Sequence, residues 1–350
     1  MQTFWFVVVA LAIVAYVVLD GFDLGVGAVY KWVARTPEDR AVARAAIGPV
    51  WDANEVWLLA GGGTLYFAFP ALYAASFSGF YLPLMIVLWL LIGRALGLEL
   101  RAHLPDPLLA EACDAVFAIS SLLLTIFFGA ALGNVVRGVP IEADGYFFLP
   151  LWTDFRVGAH PGVLDWYTVL SGVVAAVALA AHGACWLVLR VDAASPVHAR
   201  AAAVARAGRR ALMVLTPLSL VATLAVRPGV LDNFRAQPIG FALPLAVAAS
   251  LIAGELAGRR GRERGAFAAS CVYLTSMLGG AAFALYPVLL PSSDDPSRAL
   301  TIEKAATSPY AMSIAAGWWI FAFVLVAGAF MYLYRSFRGK ISSDAGGYGH

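Results

Sequence analysis

The chain has 350 residues, of which 61% are hydrophobic and 13% are charged, and its mean hydropathy is +0.79. This composition excludes a water-soluble protein, and a net charge of +2 with dispersed basic residues gives no basis for a nucleic-acid partner. At roughly 20 apolar residues per helical crossing, the length suits about nine crossings and no separate extramembrane domain. We therefore predict a single all-α transmembrane domain over residues 1–350.

Nine apolar segments predict nine transmembrane helices. In chain order they lie near 4–30, 49–69, 74–100, 110–136, 163–189, 209–227, 239–257, 266–288 and 312–334. With the N-terminus outside, 18 of the 24 basic residues fall in the inner loops. Because cytoplasmic loops are enriched in Lys and Arg, the charge distribution predicts an N-terminus outside and a C-terminus inside.

The first predicted helix carries two carboxylates in the run DGFDLG. Asp20 lies 11 residues before Lys31, which marks the inner interface, so at 1.5 Å per residue it is roughly 16 Å inside the membrane. Asp23 follows three residues later on the same helical face. Each buried charge costs at least about 2.5 to 3.5 kcal/mol on insertion scales, and helix 1 offers no basic partner at this depth. We predict proton handling, with capping of neighbouring helices as the structural alternative.

The second predicted helix begins with GPVWDANEVWLL, which places Asp52 and Glu55 in its first two turns. A carboxylate near a helix N-terminus is stabilised by the macrodipole by about 0.3 to 1 kcal/mol, so Asp52 also has a purely structural explanation. Yet the polar stretch lies between Trp51 and Trp57 in an otherwise apolar segment. Antiparallel helices 1 and 2 would bring up to four carboxylates into the inner half of the membrane, which predicts a proton conduit from the cytoplasm.

Other intramembrane acids have local explanations. Glu99 lies between Arg94 and Arg101 and is expected to pair locally, and Glu255 precedes Arg259 by four residues. Two further acids fall in the first turns of helix 4, where the dipole favours them: Glu111 and Asp114.

Histidine is scarce within the predicted helices. Only His182 of the five histidines lies in one, so this chain alone cannot form a bis-histidine haem site. Ligation by His182 together with Met213 or Met277 stays open, but a hydrogen-bonded residue at a helix interface is the favoured interpretation. No metal site is predicted.

Four runs together resemble subunit II of the bacterial cytochrome bd quinol oxidases. They are DGFDLGVG at 20–27, GPVWDANEVWLLAGGG at 48–63, ALYAASFSGFYLPL at 71–84 and GNVVRGVP at 133–140, and YPVLLPSS at 286–293 also fits. The resemblance spans the chain in order. The loop after GNVVRGVP is most similar to the cyanide-insensitive branch.

The resemblance implies a subunit of a terminal quinol:oxygen oxidoreductase of aerobic respiration, in the bacterial cytoplasmic (inner) membrane. In that family two subunits of similar fold, each of two four-helix bundles plus one extra helix, form a heterodimer that oxidises quinol and reduces dioxygen to water. Subunit I holds two haems b and haem d. Subunit II supplies a scaffold and part of the proton path, and in some members it holds a bound quinone.

Carried over by motif, the resemblance makes Asp52 the leading residue of the proton path, with Asp20 and Asp23 beside it. Glu55 stands where the family often has Gln.

Two alternatives belong to other classes. A proton-coupled secondary transporter commonly binds at the midplane between broken helices of paired halves, whereas the acids here are confined to helices 1 and 2. A purely structural membrane partner would use the same acids for packing alone.

Overall fold

The computed structural model describes residues 1–103 and 106–341 and is almost entirely helical. The described residues form twelve α-helices: α1 (Gln2–Val33), α2 (Pro37–Ile47), α3 (Trp51–Ala68), α4 (Pro70–Gly79), α5 (Tyr81–His103), α6 (Pro107–Arg137), α7 (Trp166–Arg190), α8 (Pro196–Val226), α9 (Asp232–Ala236), α10 (Ala242–Arg259), α11 (Glu263–Leu285) and α12 (Pro309–Ser336). Two short antiparallel strands, β1 (Val288–Leu290) and β2 (Leu300–Thr301), precede α12. The expected all-α membrane architecture is confirmed.

Eight of the described helices are long and apolar enough to cross a membrane, namely α1, α5, α6, α7, α8, α10, α11 and α12. Helices α3 and α4 meet this condition only together, and a bend of 118° separates them, so the described chain has nine crossings if this pair is one span. The bend falls at Phe69, which has φ −133° and ψ 63°. Pro70 follows it, and a proline disfavours the helical conformation of the preceding residue.

The predicted third helix, 74–100, is divided in the structure. Helix α4 ends at Gly79 and α5 begins at Tyr81, with Phe80 between them. The apolar run is continuous through this break, so hydropathy alone gave no sign of it.

Helix α1 is the centre of the packing. It contacts α3, α6, α7 and α11, while α5 packs on α6. Helices α7, α8, α10 and α11 pack on one another as a second group of four. Helix α12 lies at the periphery, where Met312 is its one buried residue within the described chain. These contacts give one group formed by α1, α3, α5 and α6 and another formed by α7, α8, α10 and α11. The groups join where α7 packs on α1 and α6, and α12 lies outside them.

Glycines let α1 and α7 approach closely. A Cβ on Gly25 would lie 1.9 Å from the carbonyl oxygen of Leu179, and one on Gly183 would lie 2.3 Å from the backbone nitrogen of Val26. Such contact between backbones needs small residues on both helices. Gly21 and Gly25 of DGFDLGVG therefore lie against α7, whereas Gly27 lies against Ser121 and Phe117 of α6. The two aspartates of the same run contact α3 and α5 instead.

Candidate functional site

Four polar side chains meet in the interior between α1, α3 and α5. Asp20, Asp23 and Asn54 are fully buried, and Arg94 is 1% exposed. We call these four residues the buried polar cluster. Asp20 and Asp23 lie three positions apart on α1, so the helical repeat places them on one face, as the sequence predicted.

Arg94 neutralises Asp20 in a two-point contact. Nη1 of Arg94 donates to Oδ2 of Asp20 at 2.7 Å, and Nη2 donates to Oδ1. The guanidinium also lies 5.8 Å from the ring centroid of Trp51. A bidentate arginine–carboxylate pair is strong and geometrically specific, so Asp20 is fixed in place with its charge compensated.

The predicted local pairing of Glu99 is wrong. Glu99 is exposed on α5, whereas Arg94, assigned from the sequence to an inner loop, lies inside the protein and contacts Asp20. Arg101 pairs instead with Asp114 at 3.5 Å. The cation for helix 1 thus comes from a residue 74 positions away, which a search within helix 1 could not find.

Asp23 is held by neutral groups. Its Oδ2 accepts a hydrogen bond from Nδ2 of Asn54 at 2.7 Å. Tyr334 of α12 donates its hydroxyl to Oδ1 of Asn54 at 2.8 Å, which orients the amide. The other oxygen of Asp23 has no hydrogen-bond partner among the described residues. Asp23 is therefore a buried carboxyl group with one oxygen unoccupied and no arginine of its own.

The two remaining predicted residues lie outside the cluster. Asp52 is exposed in the first turn of α3, where it forms no hydrogen bond or ion pair within the described chain. Glu55 lies one turn further along α3 and is partly buried. The structure thus brings together Asp20 and Asp23, and places Asp52 and Glu55 on α3 before and after Asn54.

Three contributors to this site were not predicted from the sequence. Arg94 was counted with the basic residues of the inner loops, and Tyr334 was not considered. Asn54 was noted only as part of a polar stretch, although an amide inside an apolar helix is itself a usable signal. Its hydrogen bond to Asp23 joins residues 31 apart in sequence.

Apart from Glu99, the other intramembrane acids predicted to have local explanations are in ion pairs. Glu255 contacts Arg259 at 2.9 Å, as predicted, and it also lies 3.6 Å from both Arg209 and Arg210. Glu111 pairs with Lys31 and Arg40, and Asp114 is surrounded by the arginines of α2 and α5: Arg40, Arg44 and Arg101. These contacts bind α2 and α5 to the beginning of α6, which goes beyond the helix-dipole explanation.

His182 is a hydrogen-bonded residue at a helix interface, as predicted. One ring nitrogen lies 2.7 Å from Oγ of Ser270, and the other lies 2.9 Å from the carbonyl oxygen of Val18. Within residues 1–103 and 106–341, no group of three or more His, Cys, Asp or Glu side chains is arranged to hold a metal ion.

Comparison with known proteins shows similarity along nearly the whole chain. Residues 1–337 match the family described as cytochrome bd terminal oxidase subunit II. The "Probable cytochrome oxidase subunit 2" of Haemophilus influenzae is 30% identical, with 97% of this chain and 95% of that protein covered. The "Cytochrome bd-I ubiquinol oxidase subunit 2" of Escherichia coli is 28% identical over the same shares of both chains.

A relative from Bacillus subtilis, "Cytochrome bd ubiquinol oxidase subunit 2", is 29% identical, with 97% of this chain and 96% of that protein covered. Among solved structures, the bd oxidase from Geobacillus thermodenitrificans has a chain that matches with a TM-score of 0.74 and 18% identity. That match covers 96% of this chain and 98% of the other, so the two share the fold.

Proposed function

The chain belongs to the cytochrome bd terminal oxidase subunit II family, and from this premise we propose that its buried polar cluster forms part of a proton route to the oxygen-reducing site. The chain is a multi-pass subunit of the bacterial inner membrane, within a quinol oxidase that reduces oxygen. Membership of this family favours an oxidase subunit over a secondary transporter. A purely structural role is the remaining alternative, which the experiment below addresses.

An oxidase of this kind contains haem and requires a subunit I partner, with quinol and dioxygen as substrates. We place the two haems b and haem d on subunit I. The support from this chain is His182, whose two ring nitrogens are both engaged in hydrogen bonds inside the helix bundle. We also propose the predicted orientation, in which the C-terminal end of α1 faces the cytoplasm.

Asp20 serves as the fixed negative charge of the route. Both of its oxygens accept hydrogen bonds from Arg94, and both side chains are buried. Protonating Asp20 would leave the guanidinium without a counter-charge in a region of low dielectric constant, which is costly. Asp20 therefore acts in this proposal as the counter-charge that positions Arg94.

Asp23 is the proton carrier in this proposal, and its unoccupied oxygen is the observation that supports the assignment. Asn54 is a neutral donor, so it holds Asp23 in place whether or not the carboxyl group carries a proton. A proton can be bound at the second oxygen and released from it without breaking that contact.

The entry of the route lies along α3. Asp52 is exposed at the start of the helix, and Glu55 follows three residues later, which is about 4.5 Å along the helix axis. Asn54 lies between them in sequence and points inward to Asp23. We propose transfer from Asp52 through Glu55 to Asp23, with water molecules bridging the gaps between carboxyl groups.

The test is Asp23→Asn in the assembled oxidase, with oxygen uptake measured under quinol and haem content measured from the visible spectrum. An asparagine oxygen still accepts the bond from Asn54 but cannot carry a proton. We expect turnover to fall about 100-fold, at the low end of what a positioned proton donor contributes, with the haem spectrum retained. Asp52→Asn should also slow turnover.

Glu99→Gln is the matched control, because it removes an exposed carboxylate from the neighbouring helix α5; its turnover should equal that of the native complex. Unchanged oxygen uptake in both Asp23→Asn and Asp52→Asn would leave the acids with a structural role only. Loss of the haem spectrum in Asp23→Asn would likewise assign Asp23 to assembly.

A further inference from the structure

A cavity of about 630 Å³ lies at the end of the helix bundle that is predicted to face the cytoplasm. It is bordered by the junction of α2 and α3, the C-terminal end of α7, the beginning of α11, and the end of α12 with the residues that follow it. Its lining has two chemically different sides. None of these residues belongs to the buried polar cluster.

One side of the cavity is strongly cationic. Its charged residues are Arg190, Arg264, Arg338, Lys340 and Glu263. Glu263 is already engaged, since it accepts a bond from Nζ of Lys340 at 2.6 Å and lies 3.0 Å from Nε2 of His198. The charges that line the cavity therefore sum to +3.

The three arginines have no carboxylate partner among the described residues. Arg190 donates to the carbonyl oxygen of Gly339 at 2.6 Å and lies 5.5 Å from the ring centroid of Trp186, while its Nε is buried without a partner in the described chain. Arg264 and Arg338 are exposed. Like charges gathered around one cavity repel one another, so this arrangement favours an anion between them.

The other side of the cavity is apolar and aromatic. Trp186 forms part of this wall and is itself fixed by stacking on Phe22, with ring centroids 4.2 Å apart. The remaining apolar lining comes from α2, α7 and α12 and the residues beside them: Ala46, Pro49, Val50, Leu189, Tyr334 and Phe337. Phe337 is 45% exposed, so the apolar wall continues to the outer surface beyond the end of α12.

We propose that this cavity binds the headgroup of an anionic phospholipid, with the phosphate among the arginines and the acyl chains against the apolar surface of α12. Arginine suits phosphate because its planar donors match the phosphate oxygens. Basic pockets between transmembrane helices at the membrane face are typical of such recognition. The adjoining apolar wall favours a lipid over a free anion, because acyl chains can pack against the wall and a free anion cannot.

The probe for the test is dioleoyl phosphatidylglycerol, compared with dioleoyl phosphatidylcholine. Each lipid is added to delipidated oxidase in detergent, and bound lipid is counted by native mass spectrometry. The variant is Arg264→Ala combined with Arg338→Ala, which removes two exposed charges from the cavity. The matched control is Arg260→Ala with Arg262→Ala, which removes two exposed arginines beside α11 that do not line it.

We expect the native oxidase to bind one phosphatidylglycerol more tightly than phosphatidylcholine. The cavity variant should weaken this binding about 30-fold, which is about 2 kcal/mol at 1.4 kcal/mol per factor of ten, or about 1 kcal/mol for each arginine. The control pair should retain native binding. If the double variant fails to assemble with haem, Arg338→Gln alone serves, with a smaller expected loss of about fivefold at the same scale.

Two results would overturn the proposal. Equal binding of the two lipids, or equal loss in the cavity and control variants, would show that the arginines here act only as part of the general surface charge. Displacement of phosphatidylglycerol by an excess of inorganic phosphate, with no dependence on the acyl chains, would indicate a site for free anions.

Discussion

Removing the carboxylate of Asp20 should destabilise the protein far more than removing that of Asp23. In Asp20→Asn, the guanidinium of Arg94 stays buried, with 1% exposure, and loses its counter-charge and one of the two oxygens that accept its described hydrogen bonds. Its Nε already has no partner in the described chain. Breaking a buried ion pair by removing one member costs about 3 to 5 kcal/mol, and we expect a loss in this range.

The same reasoning predicts a rescue. Replacing Arg94 by methionine in the Asp20→Asn background removes the orphaned charge and fills the space with an apolar side chain of similar length. Buried ion pairs replaced by neutral groups are often as stable as the original pair. The double variant, Asp20→Asn with Arg94→Met, should therefore regain most of the stability that Asp20→Asn alone lost.

The assay is thermal unfolding of the purified oxidase in detergent, with haem absorbance recorded in parallel. Asp23→Asn is the reference, because its side chain still accepts the hydrogen bond from Asn54 and should cost no more than about 1 kcal/mol. Two results would refute the reasoning. One is Asp20→Asn unfolding at the same temperature as Asp23→Asn, and the other is a double variant no more stable than Asp20→Asn.

Two further predictions concern the scaffold. Gly183→Val places a Cβ 2.3 Å from the backbone nitrogen of Val26, so α1 and α7 must separate. We expect the free energy of unfolding to fall by about 3 kcal/mol or more and the yield of haem-containing complex to be reduced. Gly62→Ala is the control and should be tolerated, because a Cβ there meets nothing within 4 Å. At Asp39, burial raises the pKa, but the bond from Arg200 and two backbone N–H groups outweigh it and lower the pKa below its usual range. The resulting stability is present above pH about 4 and lost as the pH falls through the lowered pKa, so Asp39→Asn should flatten the acid dependence of the unfolding temperature there.

The aspartates of helix 1 could be predicted from sequence because a carboxylate in an apolar helix stands out against every neighbour. Depth followed from counting residues to Lys31, and the shared face followed from the helical repeat. The structure agrees with the shared face, since Asp20 and Asp23 are fully buried three positions apart on α1. Their depth in the membrane stays a prediction. These properties depend only on local geometry, which the sequence contains.

The partners could not be predicted in the same way because they come from distant parts of the chain. Arg94 is 74 residues from Asp20, and Tyr334 is 280 residues from Asn54. Near Arg94, the acid Glu99 offered a closer partner in sequence, and a pairing rule based on distance along the chain selected it wrongly. Which helix supplies a counter-charge depends on packing, and here α5 is brought to α1 through their common neighbour α6.

The exposure of Asp52 also could not be predicted from the sequence. The motif WDANEVW places Asp52 and Asn54 two residues apart, so they point to different sides of α3. Only the position of α1 decides which side is interior, and Asn54 is the one that faces it. The most conspicuous acid of the motif therefore lies at the surface, and the amide beside it contacts Asp23.

We propose that the charges of the cluster suit proton transfer because Arg94 compensates one of the two aspartates. Asp20 and Arg94 cancel, and Asn54 and Tyr334 are neutral, so the net charge of these groups depends on a single proton at Asp23. With the proton bound the sum is zero, and without it the sum is −1, at a cost of at least about 2.5 kcal/mol in the membrane interior. By binding Asp20, Arg94 leaves Asp23 as the one group whose charge changes, so each proton that leaves it creates a negative charge that only another proton can cancel.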